Sequence, residues 1–349
     1  MNALLTDLLA VFGVVLNALP QGLLALSFGF AAVPTAMAFF IGAAGNVITG
    51  NVAPISFQAE TITYAGTSGR NRSERCTMIF IGAVILAVVG ACGMLTKIVD
   101  FIGTDIANGM MAGVGLILTK AAVNMVKEDH IAGGVSLAAA VITYLLTRSS
   151  ANTLVYTIVI SVIASSIASA VLNKEKKNIV IADDKFKRQK FTINGTVIFG
   201  ALGMVCLNIG SNISFGAITA SMAGADTFNV DHLTLISSLA DIGSSFFGGA
   251  PVESIISATA NAPHPVWAGV AMMVVVGVIL LSGLLPKIGN YVPSSSIAGF
   301  LFVLGLFKTF VLDGLAVNPA VGGSALVVTA ISNPFLGMLA GIAARILGM

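Results

Sequence analysis

Charge is what this sequence has least of. Only 9% of its 349 residues are Asp, Glu, Lys or Arg, against 56% hydrophobic, where a soluble domain carries about 25% charged residues. So few charges cannot cover a surface that faces water. A soluble globular domain is excluded, and so is a disordered chain. A nucleic-acid binder is excluded as well, because it needs a concentrated basic face. The formal net charge of +2 is too small to indicate a partner. Cysteine is scarce: Cys76, Cys92 and Cys206 lie far apart, with neither a disulfide framework nor metal-ligand spacing. There is no GxxxxGK[ST] loop to drive a nucleotide-powered pump, and no Ser-His-Asp or zinc motif, so an enzyme is not expected. No basic stretch precedes the first apolar run, so no cleaved signal peptide is expected either.

What the sequence has is long uncharged runs. Windows 8–59, 76–96, 131–147, 149–173, 191–225, 254–286 and 314–344 contain no Asp, Glu, Lys or Arg. The interval 101–126 is interrupted only by Asp105 and Lys120, and 288–312 only by Lys308. A span needs about 20 apolar residues, so these runs hold about 14 membrane segments. The expectation is an all-α polytopic protein of a bacterial cytoplasmic membrane, with the lipid bilayer as its main partner. Lys120 and Lys308 read as side chains that snorkel to the interface. The one long polar stretch, NKEKKNIVIADDKFKRQK at 173–190, reads as a linker between two bundles.

The two halves resemble each other. At a constant offset Leu95, Lys97, Ile98 and Gly109 match Leu285, Lys287, Ile288 and Gly299; Phe101 faces Tyr291, and Gly115 faces Gly305. Ala53-Pro54 with Glu60 answers Ala250-Pro251 with Glu253. Seven segments per half is an odd number, which gives the copies opposite orientations. That is the inverted-repeat plan of many secondary transporters, and it puts the site at broken helices in corresponding positions. The two breaks are GNVAPISFQAETITYAG at 50–66 and FGGAPVESIISATAN at 247–261. Glycine permits unusual backbone angles and proline blocks a continuous helix. Broken backbone in a membrane lines a cavity or is covered by protein, since each free amide in lipid costs several kcal/mol.

An ionisable residue inside a span is a functional candidate. Glu253, just past Pro251, is the sharpest. It would carry a proton or accept hydrogen bonds from a polar ligand, the bland alternative being a helix-cap carboxylate. Glu60 at the matching break and Asp241 ahead of the second break are coupling candidates. Asn17 and Asn208 occupy the first segments of their halves, and Asn both donates and accepts; the bland alternative is interhelical bonding.

The run Ser245-Phe246-Phe247-Gly248-Gly249-Ala250-Pro251, followed by Glu253-Ser254, resembles the tenth segment of the nucleobase–cation symporter 2 family, nearest the azaguanine-resistance-type purine permeases. Ala53-Pro54 with Ser56-Phe57 resembles that family's third segment, and Asn208-Ile209-Gly210-Ser211 its eighth. The resemblance implies a 7+7 inverted repeat with short strands at the broken helices of segments 3 and 10. It implies a core domain (1–97 and 193–287), a gate domain (98–172 and 288–349), a polar linker (173–192) and an arrangement that includes homodimers. It implies uptake of a nucleobase, a purine above all, coupled to a proton or sodium. Substrate would meet Val252, Glu253 and Ser254 on one side and Ser56, Phe57 and Gln58 on the other. Phe57 would stack on the base and Asn208 would assist, with Glu60, Asp241 and Asn17 in coupling roles. Departures are visible: the stretch from Pro251 to Glu253 is short, Ile256 replaces a common glycine, and Leu207 stands where many members are acidic. The stretch DLLAVFGVVLNALPQGLLAL resembles the first segment of sulfate-permease-type anion transporters, which share the fold. An inorganic-anion transporter is therefore the alternative, and a membrane scaffold without transport is a third.

The basic residues of loops 68–75, 127–130 and 173–190 fall on one side of the membrane. The positive-inside rule makes that side cytoplasmic and the N-terminus external, whereas the resemblance implies an internal N-terminus.

Overall fold

The computed structural model describes residues 3–149, 153–172, 186–225, 229–289, 291–310, 315 and 318–348. The first half contains α1 (Ala3–Ser27), α2 (Ala32–Thr49), β1 (Ile55–Ser56), α3 (Ala59–Ser68), α4 (Arg72–Ala91), α5 (Leu95–Ile102), α6 (Thr104–Glu128), α7 (His130–Thr147) and α8 (Thr153–Leu172). The second contains α9 (Gly195–Met222), α10 (Val230–Phe246), β2 (Glu253–Ser254), α11 (Pro265–Leu281), α12 (Leu284–Gly289), α13 (Ala298–Val303), α14 (Pro319–Ile331) and α15 (Pro334–Ile346). A 3₁₀ turn at Ala258–Asn261 follows β2, and a π-helical turn at Leu304–Thr309 continues α13. Counted as membrane segments, with each strand and the short helix or turn after it as one and the short connecting helices α5 and α12 left out, the halves are seven plus seven among the described residues. Among the described residues six helices, α1, α2, α4, α6, α7 and α9, are long and apolar enough to cross a bilayer. This is an integral membrane protein.

The helix ends follow from local sequence. Among the described residues, α4, α7, α9, α10, α14 and α15 start at Asn71, Asp129, Asn194, Asn229, Asn318 and Asn333, whose side chains accept from first-turn amides. Such caps satisfy donors that lipid cannot. Ahead of each strand the chain leaves its helix through a glycine in the left-handed region: Gly50 (φ 67°) after α2 and Gly248 (φ 89°) after α10. Pro54 and Pro251 then prevent the helix from resuming. The two dipeptide strands, one from each half, pair antiparallel, with Ile55 opposite Ser254 and Ser56 opposite Glu253. Each thereby satisfies backbone that would otherwise be orphaned.

The sequence repeat is also physical. The matched leucines Leu95 and Leu285 lie at the starts of the short helices α5 and α12. The matched glycines Gly115 and Gly305 meet each other: a Cβ on Gly115 would sit 2.6 Å from the Gly305 carbonyl oxygen, and one on Gly305 2.5 Å from that of Gly115. No larger residue fits at either position.

Two sets of helices pack among themselves. In one, α2 lies against α10 and α11, α4 against α9 and α10, and α1 against α11. In the other, α6 lies against α13, α14 and α15, and α7 against α8 and α13. Residues 173–185 of the linker lie outside the described residues. Its end packs on the first set: Gln189 N–H donates to the Phe246 carbonyl at 2.9 Å, and the Phe191 ring lies 4.6 Å from that of Phe80. At the same end, Arg72 donates through two nitrogens to the Gly248 carbonyl, at 3.0 and 3.2 Å.

Candidate functional site

The paired strands form a ribbon with two unlike sides. In front lies a cavity of about 950 Å³. The first helix set lines it with Asn17, Gln21, Gln58, Glu60, Ile256 and Asn261; the second set adds Asn108, Met111, Phe300, Lys308 and Thr309. Its mouth reaches Thr6, Leu9 and Ala258, at the face that carries the N-terminus and opposite the basic loops. A smaller cavity of about 590 Å³ lies between Thr49–Val52 and Asn229–His232.

Glu60 stands in the first turn of α3, a ten-residue helix that begins just after β1. Its carboxylate accepts from the Thr309 hydroxyl at 3.3 Å, across the gap between the two sets. Gln58 precedes that helix. Its amide donates to the Ser254 carbonyl at 3.3 Å and its side-chain oxygen accepts from Thr61 at 3.1 Å. The N-terminal end of α3 thus borders the cavity, with the Glu60 carboxylate in its first turn. Lys308 also lines the cavity, its ammonium 5.9 Å over the Tyr144 ring. It comes from a π-helical turn, an irregularity found at functional sites more often than elsewhere.

Behind the ribbon the side chains are packed and polar. Glu253 is 1% exposed. Asn208 donates to its Oε1, and the Asp241 carboxyl adjoins it. Asp241 Oδ1 accepts from the Val252 N–H at 2.7 Å. Asn212, one turn beyond Asn208 on α9, contacts the hydroxyls of Thr234 and Ser237 at 3.3 Å each. The group draws on α9, α10 and β2 and is closed off from the cavity.

The residues singled out from sequence therefore divide. Asn17, Gln58 and Glu60 line the cavity. Val252, Glu253, Asn208 and Asp241 lie together behind the ribbon. Ser56, Phe57 and Ser254 are buried between, and the Phe57 ring sits edge-on to Phe39 with centroids 5.1 Å apart. Lys308, Thr309, Asn212 and Ser237 were not anticipated as site residues. Lys308 is a wall of the cavity, not merely an interfacial lysine. The i, i+4 pair of asparagines at 208 and 212 was the available signal for the rear group.

No family model and no curated protein matches the chain. Solved structures do. The transmembrane domain of the cyanobacterium bicarbonate transporter BicA superposes with a TM-score of 0.70 at 13% identity, covering 98% of both chains. The murine Slc26a9 anion transporter in its inward-facing state gives 0.72 at 16% identity, over 99% of this chain and 68% of that one. A second SLC26A9 structure gives 0.74 at 12% identity, over 99% of this chain and 65% of that one, so this chain spans about two thirds of the SLC26A9 length. The fold is shared with anion transporters.

These likenesses overturn the resemblance to nucleobase–cation symporters and the purine-symporter reading drawn from it. The structure gives the physical reason. The run that carried the resemblance serves the shared fold and does not report a ligand. Phe246 and Phe247 pack on Phe80, Phe191 and Phe186, Gly248 makes the left-handed turn, and Pro251 stands two residues ahead of the strand. Phe57, expected to stack on a base, is committed to the core.

Proposed function

We propose that this chain is a secondary transporter of a small anion and that the cavity in front of the ribbon is its path. The observation that carries the proposal is the cavity itself: two helix breaks, one from each repeat, meet at a chamber walled by both helix sets, in a fold shared with a bicarbonate transporter and an anion transporter. The ammonium of Lys308 supplies positive potential there, while the Glu60 carboxylate offsets the dipole at the N-terminal end of α3. The amides of Gln21, Gln58 and Asn108 supply hydrogen bonds. Residues 1–97 with 193–287, and 98–172 with 288–349, are the bodies whose relative movement exposes the chamber to either face. Glu60 and Thr309, bonded across that boundary, separate when it opens. The rear group of Glu253, Asp241 and Asn208 holds the coupling ion, a proton or sodium, against the same ribbon. Occupancy there shifts β2 and so reaches the chamber.

The test is flux into liposomes holding the purified protein, with bicarbonate, chloride and sulfate offered in turn under imposed proton or sodium gradients. Uptake of at least one anion above that of protein-free vesicles, lost in Gln58→Leu, is expected. Uptake of none rejects the proposal.

A further inference from the structure

The chamber's charged groups are of opposite sign and come from different elements, Glu60 from α3 and Lys308 from the π-helical turn. A chamber for a bare anion gains nothing from a carboxylate, because Glu60 repels it. Yet Glu60 is 6% exposed, lines the chamber and is held there by the Thr309 hydroxyl. Thr309 follows Lys308 in the chain, so one turn supplies both the cation and the group that fixes the carboxylate. A carboxylate accepts hydrogen bonds and cannot donate; an ammonium donates and cannot accept. The pair is complementary to a solute that presents negative oxygen at one end and an O–H donor at the other. Resting on the anion-transport reading, we propose that the chamber selects oxyanions carrying their own O–H donor: Lys308 pairs with the charge and Glu60 accepts from the hydroxyl. Halides and fully deprotonated oxyanions leave Glu60 buried and facing an acceptor, which is the costly arrangement.

Bicarbonate and nitrate make a matched pair. Both are planar, three-oxygen monoanions of similar size, and only bicarbonate has an O–H. The experiment measures the ratio of their initial fluxes in one preparation of proteoliposomes near pH 8, so that the fraction of active protein cancels. The wild-type chain is expected to favour bicarbonate about tenfold or more, since a site built around a substrate hydroxyl strongly rejects the analogue that lacks it. Glu60→Gln offers an amide N–H alongside its oxygen. It is expected to bring the ratio to about unity, mainly by raising nitrate flux. Lys308→Gln is expected to slow both anions and leave the ratio in place. A wild-type ratio near unity, or a Glu60→Gln ratio equal to that of wild type, overturns the donor reading while leaving anion transport standing. Transport of neither anion, nor of chloride or sulfate, overturns both.

Discussion

The front and the back of the ribbon hold the same chemical group in opposite circumstances. Glu60, from the first repeat, faces a chamber and accepts from one hydroxyl across the boundary between the two helix sets. Glu253, from the second repeat, is enclosed by Asn208, Asn212 and Asp241 within one helix set. Inverted repeats made the two breaks alike, but the neighbouring helices did not remain alike. α9 and α10 present amides and hydroxyls to the strand, whereas α3 opens onto space. Equivalent positions in a repeated fold can therefore divide the work, one meeting the solute and the other, on our proposal, the coupling ion.

Substitutions separate the two roles. The largest effect on stability is expected behind the ribbon. Asn208→Leu leaves the Glu253 carboxyl buried without its donor, which costs about 2–3 kcal/mol and lowers the unfolding temperature in scanning fluorimetry. Glu60→Gln keeps an oxygen for Thr309 and is expected to leave that temperature nearly unchanged while altering transport. Equal losses from both would erase the contrast. Next comes Arg72→Ala, which strips two hydrogen bonds from the Gly248 carbonyl at the entrance to β2. A loss of about 1–2 kcal/mol is expected in the same assay. The smallest effect is expected at Tyr144→Leu, where Lys308 loses the ring beneath it. That contact is worth about 0.5–1 kcal/mol, and anion KM should change by about two- to fivefold.

Orientation sharpens the contrast further. Among the described residues, Arg70, Arg72, Arg75, Lys127, Lys187, Arg188 and Lys190 lie toward one face, which the positive-inside rule makes cytoplasmic. The chamber mouth lies at the other face. A cysteine at Glu128, in a chain with its three native cysteines replaced, is expected to resist an impermeant thiol reagent applied to intact cells. Rapid labelling would reverse the orientation and make the chamber inward-open.

The architecture was legible because it rests on strong local signals. Uncharged runs mark the spans, Gly and Pro mark the breaks, and the Leu95/Leu285 and Gly115/Gly305 matches mark the repeat. The site was legible only by position. Both acidic breaks were visible, but which carboxylate faced the chamber was not. In a two-residue strand one step reverses the side chain's direction, and the choice is made by packing against α9 and α10, which no local pattern at the break announces. Lys308 read as interfacial because nothing local announces a π-helical turn. The solute was not legible for a further reason: Phe246-Phe247-Gly248 and Pro251 serve the turn into β2 and its packing, so they carry no information on what is carried.

The most direct test of the central claim, that anions pass in front of the ribbon, is blockade of the chamber. Cys92 is exposed while Cys76 and Cys206 are buried, so a Cys92→Ser background leaves little competing reactivity. In that background Asn261→Cys, at the chamber wall, is labelled with a bulky thiol reagent in proteoliposomes, and anion flux is measured before and after. Flux is expected to fall to the protein-free level as labelling completes. Undiminished flux through fully labelled protein would contradict it.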